Sequence, residues 1–143
     1  MADIQKESIA EAYDDVRNDQ TPTTWALLGY DDSNTIVLLG TGSEYEEFRS
    51  KFSDDDRLFG FVRLTAGDEL SKRAKFVLIT WIGSNISALK RAKVSTDKST
   101  VKSILQNFAL EIQISDLAEL EEPNIREALK KAGGAQYGTG VRD

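Results

Sequence analysis

Three groups of side chains in this 143-residue chain have types and spacings that could do chemistry. Asp54-Asp55-Asp56 sets three carboxylates in succession, the donor type a hard divalent cation takes. Gly40-Thr41-Gly42-Ser43 holds small residues of the kind that let backbone N–H groups approach a phosphate. Between residues 71 and 102 stand eight cations, Lys72, Arg73, Lys75, Lys90, Arg91, Lys93, Lys98 and Lys102, against one acid, Asp97. Histidine and cysteine are absent. Disulfides, imidazole and thiolate metal sites, the commonest general base and the strongest nucleophile are therefore lacking, which argues against an enzyme.

The first two groups reduce to local structure. Three adjacent carboxylates point in different directions, and no spaced ligands complete an oxygen cage, so residues 54–56 read as a solvated loop. Residues 40–43 lack a third glycine and a Lys-Ser/Thr pair, so they read as a plain strand-to-helix turn. Trp81 continues an apolar strand and reads as core rather than as a stacking platform; Trp25 raises the same question.

The cationic stretch resists that reduction. The chain has 18 basic and 24 acidic residues and a net charge of −6. One segment is thus strongly positive within an acidic molecule, and a fold that gathers it on one side presents a face for an anionic partner. Nucleic acid is disfavoured by a pI near 4.8 and by the lack of aromatics interleaved with the cations. A membrane surface needs a basic amphipathic helix with a bulky apolar face, and none is present; the longest apolar run, Phe76 to Ile79, is far short of the ~20 residues of a span. An acidic protein fits best, through direct, salt-sensitive contact. The polar N-terminus has no secretion signal, so a cytosolic location is expected.

These side chains must be positioned by about ten elements. Ile9, Ala12, Tyr13 and Val16 recur at helical spacing over residues 4–18. Residues 24–30 and 35–39 flank Asp31-Asp32-Ser33-Asn34 as a β-hairpin, and Gly40 onward ends the second strand. Ser43 is placed to cap a short helix over residues 44–52. Residues 57–65 and 75–82 are strands apolar on both faces, which demands helices on both sides of a central sheet. Residues 86–108 are helical in two parts, the second capped by Ser95 or Thr96, with Lys98 and Lys102 on its exposed side. Residues 110–114 alternate as a half-buried strand. A last helix covers residues 120–132, with Pro123 in its first turn, Lys130 and Lys131 complementing its dipole, and Gly133 terminating it. Residues 1–132 thus form one domain, a mixed α+β sheet sandwich, and the glycine-rich residues 133–143 a flexible tail.

At the level of motifs the chain resembles a known family. Residues 56–63, Gly67-Asp68, Ser71-Lys72-Arg73-Ala74-Lys75-Phe76, residues 78–83, Leu89-Lys90-Arg91-Ala92-Lys93, Thr96-Asp97-Lys98, Val101-Lys102, Gln106-Asn107-Phe108 and residues 129–135 are similar to the coactosins. That family belongs to the actin-depolymerising-factor homology (cofilin-like) superfamily. The likeness covers nearly the whole chain; the glycine-rich end and the region of Pro123 depart from it.

The resemblance implies the gelsolin-like fold of that superfamily, a mixed sheet of five to six strands flanked by helices on both faces. It implies a monomeric, cytoplasmic protein of the actin cytoskeleton that binds filament sides and opposes barbed-end capping, with no cofactor. Lys75 corresponds to the family's principal filament contact, with Lys72 and Arg73 beside it. The helix after the central strand would present Lys90, Arg91, Lys93, Lys98 and Lys102 to actin. Cofilins carry Lys-x-Lys at the start of that helix where this chain reads Leu89-Lys90-Arg91, which points away from strong monomer binding and severing. The alternatives are a cofilin-like depolymerising protein, or an adaptor of the same fold for another acidic protein.

Overall fold

A computed structural model describes residues 3–66 and 73–139. Helix α1 (Lys6–Arg17) buries Ile9, Ala12, Tyr13 and Val16, the stripe its spacing predicts. Its C-terminal carbonyls are satisfied from elsewhere in the fold. The Arg63 guanidinium donates to the carbonyls of Val16 and Asn18 at 3.0 and 2.9 Å and to that of Thr21 at 3.1 Å.

Strands β1 (Trp25–Tyr30) and β2 (Ile36–Gly42) form the expected hairpin. At its turn the Asp31 carboxylate accepts from the Ser33 and Thr35 N–H groups, and Asn34 takes φ 63°, a left-handed conformation asparagine tolerates. β2 does not stop at Gly40. It pairs with β1 through Gly42, with a bulge at Leu39 between the Leu27–Gly40 and Leu28–Leu38 pairs. The Trp25 indole occupies the space a Gly42 Cβ would need, so here glycine serves close packing inside the sheet rather than strand termination.

Helix α2 (Tyr45–Arg49) is shorter than expected, and its N-cap is Glu44, without a side-chain cap bond, rather than Ser43. Strands β3 (Arg57–Ala66) and β4 (Arg73–Ile82) pair along their whole length. The turn between them, with Lys72, lies outside the described residues. Helix α3 (Ala88–Lys102) is one helix, not two. Ser87 caps it by accepting from the Lys90 N–H, whereas Thr96, a candidate cap, sits mid-helix and turns its hydroxyl back toward the Ala92 carbonyl. Strand β5 (Leu110–Ile114) pairs parallel to β4. Helix α4 (Glu122–Thr139) runs through Gly133 to Thr139, past the predicted stop; residues 140–143 lie outside the described residues.

Among the described residues the sheet has five strands in the order β2-β1-β3-β4-β5, antiparallel except for β4 with β5. Alternation along the strands divides the interior in two. Phe59, Phe61, Leu78 and Ile82 pack with α1 and with Val94 and Val101 of α3. Leu58, Val62, Val77, Ile79 and Trp81 pack with Phe48 and Phe52 around α2 and with Ile125 and Leu129 of α4. Helices therefore cover both faces, as strands apolar on both sides require. No helix among the described residues is long and apolar enough to cross a membrane.

Candidate functional site

The fold divides the cationic stretch between the two faces of the sheet. Lys75 lies opposite Leu64 in the β3–β4 register and shares the parity of Val77, Ile79 and Trp81, so it belongs to the α2/α4 face. It is half-buried there and forms no ion pair among the described residues. Arg73 begins the same strand two residues earlier. Helix α4 reaches this end of the sheet: the Arg126 guanidinium, paired with Glu122 at 2.8 Å, also donates to the Thr65 carbonyl, one residue beyond the Leu64–Lys75 pair.

Lys130 and Lys131 are exposed on α4. Because the helix continues to Thr139, they stand in its middle and not in its last turn, so they do not complement the dipole of its C-terminus as expected.

The other cations are carried by α3 on the opposite face. Val94, Asp97 and Val101 turn inward. Lys90 and Lys93 are exposed and form no ion pair among the described residues. Arg91 is half-buried, its guanidinium 3.5 Å from the Ile86 carbonyl. Leu89 beside them is 69% exposed, an apolar side chain within a cationic patch.

Lys98 and Lys102 differ from the expectation of a free, exposed pair. Both reach the Glu111 carboxylate on β5: Lys98 Nζ lies 3.4 Å from Oε2, and Lys102 Nζ donates to Oε1 at 2.8 Å. Lys102 also lies over the Phe108 ring, 5.8 Å from its centroid. Burial pushes the Glu111 carboxyl up, but the hydrogen bond and charge of Lys102, then the charge of Lys98, outweigh it and hold the group below the usual carboxylate value. Sequence spacing gives no hint of this, since Glu111 is nine residues from Lys102 and is aligned with it only by the parallel pairing of β5.

The single acid within the stretch is likewise withdrawn from the surface. Asp97 is 2% exposed and accepts from the Tyr30 hydroxyl at 2.8 Å. Tyr30 is in turn stacked under Arg57, 3.9 Å from ring centroid to guanidinium. Burial, then the bond to Asp97, push the Tyr30 hydroxyl well above its ordinary value. The N-terminal part of α3 therefore shows its positive charge without the Asp97 charge beside it on the surface.

The two tryptophans are structural. Trp81 is buried and donates from Nε1 to the Ser53 carbonyl at 2.7 Å, and Trp25 donates to the Glu44 carbonyl at 3.0 Å. In the 54–56 loop, Asp55 Oδ1 accepts from the Asn85 amide at 2.8 Å and Asp56 Oδ2 from the Ser53 hydroxyl at 2.8 Å, so these carboxylates pin the loop.

Among the described residues the cations thus stand at a strand end on one face of the sheet and on a long helix on the other, exposed charge of the kind that meets an anionic partner. Residues 1–130 match the cofilin/tropomyosin-type actin-binding proteins, and the chain belongs to that family, whose members are actin-binding proteins rather than enzymes. Within it the likeness is to coactosins. The chain is 54% identical to the coactosin-like protein of Homo sapiens over 94% of each chain. A crystal structure of the human coactosin-like protein superposes with a TM-score of 0.88 at 52% identity, covering 92% of this chain and 99% of that one. The solution structure of mouse coactosin, described as an actin filament binding protein, gives 0.79 at 50% identity over 99% of both chains.

Proposed function

We propose that this protein binds the sides of actin filaments through two separate cationic surfaces, and that it opposes barbed-end capping without strong severing or monomer sequestration. Lys75 forms one surface, to which Lys72 and Arg73, its neighbours in the sequence, are assigned by the resemblance alone; Lys90, Arg91 and Lys93 at the start of α3 form the other. The observation that carries the reading is the division of these cations between opposite faces of one sheet. α3 runs back antiparallel to β4, so its first turn lies beyond Ile82 while Lys75 lies near the other end of the strand, roughly 20 Å away at about 3.3 Å per residue. The two groups also lie on opposite faces of the sheet. A filament supplies adjacent acidic subunits, so two separated surfaces can be engaged at once, and linking two weak contacts raises the overall affinity. The likeness to mouse coactosin supports the filament as partner. Such a protein acts in the cytoplasm, on the actin cytoskeleton.

Co-sedimentation with actin filaments at low and raised salt tests the proposal. The wild type should pellet, less so as salt rises, and Lys75→Ala should remain largely in the supernatant. Wild type that fails to pellet sinks the filament reading; Lys75→Ala that pellets like wild type sinks the assignment of the first surface. Barbed-end elongation with a capping protein present should be prolonged, and filament length distributions should be unchanged.

A further inference from the structure

We infer that Glu111 is a positioning residue that masks the C-terminal half of α3, so that Lys98 and Lys102 are held out of the actin contact and the helix binds through Lys90, Arg91 and Lys93 alone. The inference rests on the filament reading above. Lys98 and Lys102 are one helical turn apart, so both ammonium groups converge on the same neighbour across the α3–β5 seam. Glu111 meets them with one oxygen each, at 3.4 and 2.8 Å. Its partner position in β4 is Leu78, which places Glu111 on the α3 side of the sheet.

The three side chains are partly screened from water, at 27%, 40% and 25% exposure for Lys98, Lys102 and Glu111. To meet an acidic partner, either lysine must give up this bond first. Lys90 and Lys93 face no such competition among the described residues. The consequence is a helix whose formal charge is spread along its length but whose available charge is concentrated at its N-terminal end. Glu111 thereby limits affinity and confines where a partner can dock.

Glu111→Gln keeps the size and hydrogen-bonding shape of the side chain but removes the charge that holds the lysines. Its filament affinity, measured by co-sedimentation at low salt, should rise roughly three- to tenfold, and the gain should fade at raised salt. In the Lys98→Ala/Lys102→Ala background the same substitution should gain nothing, which separates released lysines from a general change in net charge. In the wild-type background, Lys98→Ala/Lys102→Ala should bind within about twofold of wild type, while Lys90→Ala/Lys93→Ala should weaken binding about tenfold or more. Thermal unfolding of each variant establishes that it is folded.

The masking idea fails if Glu111→Gln binds no tighter than wild type, if its gain survives loss of both lysines, or if Lys98→Ala/Lys102→Ala costs as much as Lys90→Ala/Lys93→Ala. Any of these results with wild type pelleting normally removes the masking and leaves the filament reading standing. Wild type that does not pellet removes both.

Discussion

The two faces of the sheet solve the burial of polar atoms in different ways. On the α2/α4 face the buried polar groups belong to aromatic side chains, and main-chain carbonyls satisfy them: Trp25 on Glu44, Trp81 on Ser53 and Tyr45 on Leu120. Each bond ties a rigid ring to a loop or helix border, and Phe48, Phe52 and Trp81 continue the cluster edge to face at 5.0 and 5.5 Å. On the α1/α3 face the Tyr13 hydroxyl also meets the main chain, accepting from the Asn107 N–H at 3.0 Å, but the interior in addition takes in a carboxylate, Asp97 under Tyr30, and a Thr80 hydroxyl with no hydrogen-bond partner among the described residues. The first face is an aromatic clamp that fixes loops. The second buries side-chain polarity beneath α3, the helix that carries Lys90, Arg91 and Lys93. The comparison teaches that the face covered by the cationic helix α3 is also the one whose interior takes in charge and an unmet hydroxyl among the described residues.

The sharpest way to break this comparison is to cut the aromatic clamp. Trp81→Ala removes a fully buried ring together with its bond to Ser53, and should lower the unfolding free energy by about 3–5 kcal/mol in a denaturant titration. A loss near 1 kcal/mol would mean that the clamp is not what holds the α2/α4 face. Gly83→Ala attacks the same clamp from the backbone: a Cβ there runs into the main chain of Asp54, which cannot swing aside as a side chain can. We expect a loss of roughly 1–3 kcal/mol, read from the denaturation midpoint.

Tyr30 and Tyr45 allow the faces to be compared through one kind of group. Both hydroxyls are raised above the ordinary value of 10.0, Tyr30 by burial and then Asp97, Tyr45 by burial and then the charges of Glu122 and Glu46. A tyrosine whose folded pKa exceeds its unfolded value contributes stability fully below pH 10, and that contribution is lost as the pH climbs above it. Tyr30→Phe and Tyr45→Phe should each cost about 1 kcal/mol near pH 8, and each should lose less stability than wild type on going to about pH 11. Equal pH sensitivity in wild type and both variants would remove the hydroxyls from the account. The smallest effect concerns the α1/α3 interior alone. Thr80→Val replaces the partnerless hydroxyl by a methyl of the same shape and should stabilise by about 1 kcal/mol; a destabilised variant would mean that the hydroxyl is satisfied after all.

Much of this was legible in the sequence, and the rest was not for identifiable reasons. The α1 stripe, the doubly apolar β3 and β4, the core role of Trp81 and the need for helices on both sides follow from periodicity, because periodicity is a local property that burial enforces. The misreadings fall where a distant partner decides. Gly40 and Gly42 look like a strand end until β1 and the Trp25 ring are beside them. Ser95 and Thr96 look like caps until Ser87 has capped the helix that runs through them. Gly133 permits a left-handed stop but is equally free to continue a helix, and α4 continues. At the candidate site, residue types and the eight-to-one bias were readable, and the division of the cations between two faces follows from strand parity. The neutralising role of Glu111 was hidden, because it depends on a parallel strand pairing that no short-range pattern encodes.

The outer edge of β2 carries a further consequence. Ile36 donates to the Asp3 carbonyl and accepts from the Gln5 N–H, so the segment before α1 already occupies the beginning of that edge. A few residues on, the Leu39 bulge throws the remaining backbone out of register with any straight strand laid against it. An open strand edge is a template for stacking one copy of a chain on the next, and it is most dangerous where copies are crowded. Binding along a filament, as proposed above, would crowd copies of this chain in that way. The bridge and the bulge work against aggregation at the place where the sheet would otherwise invite it.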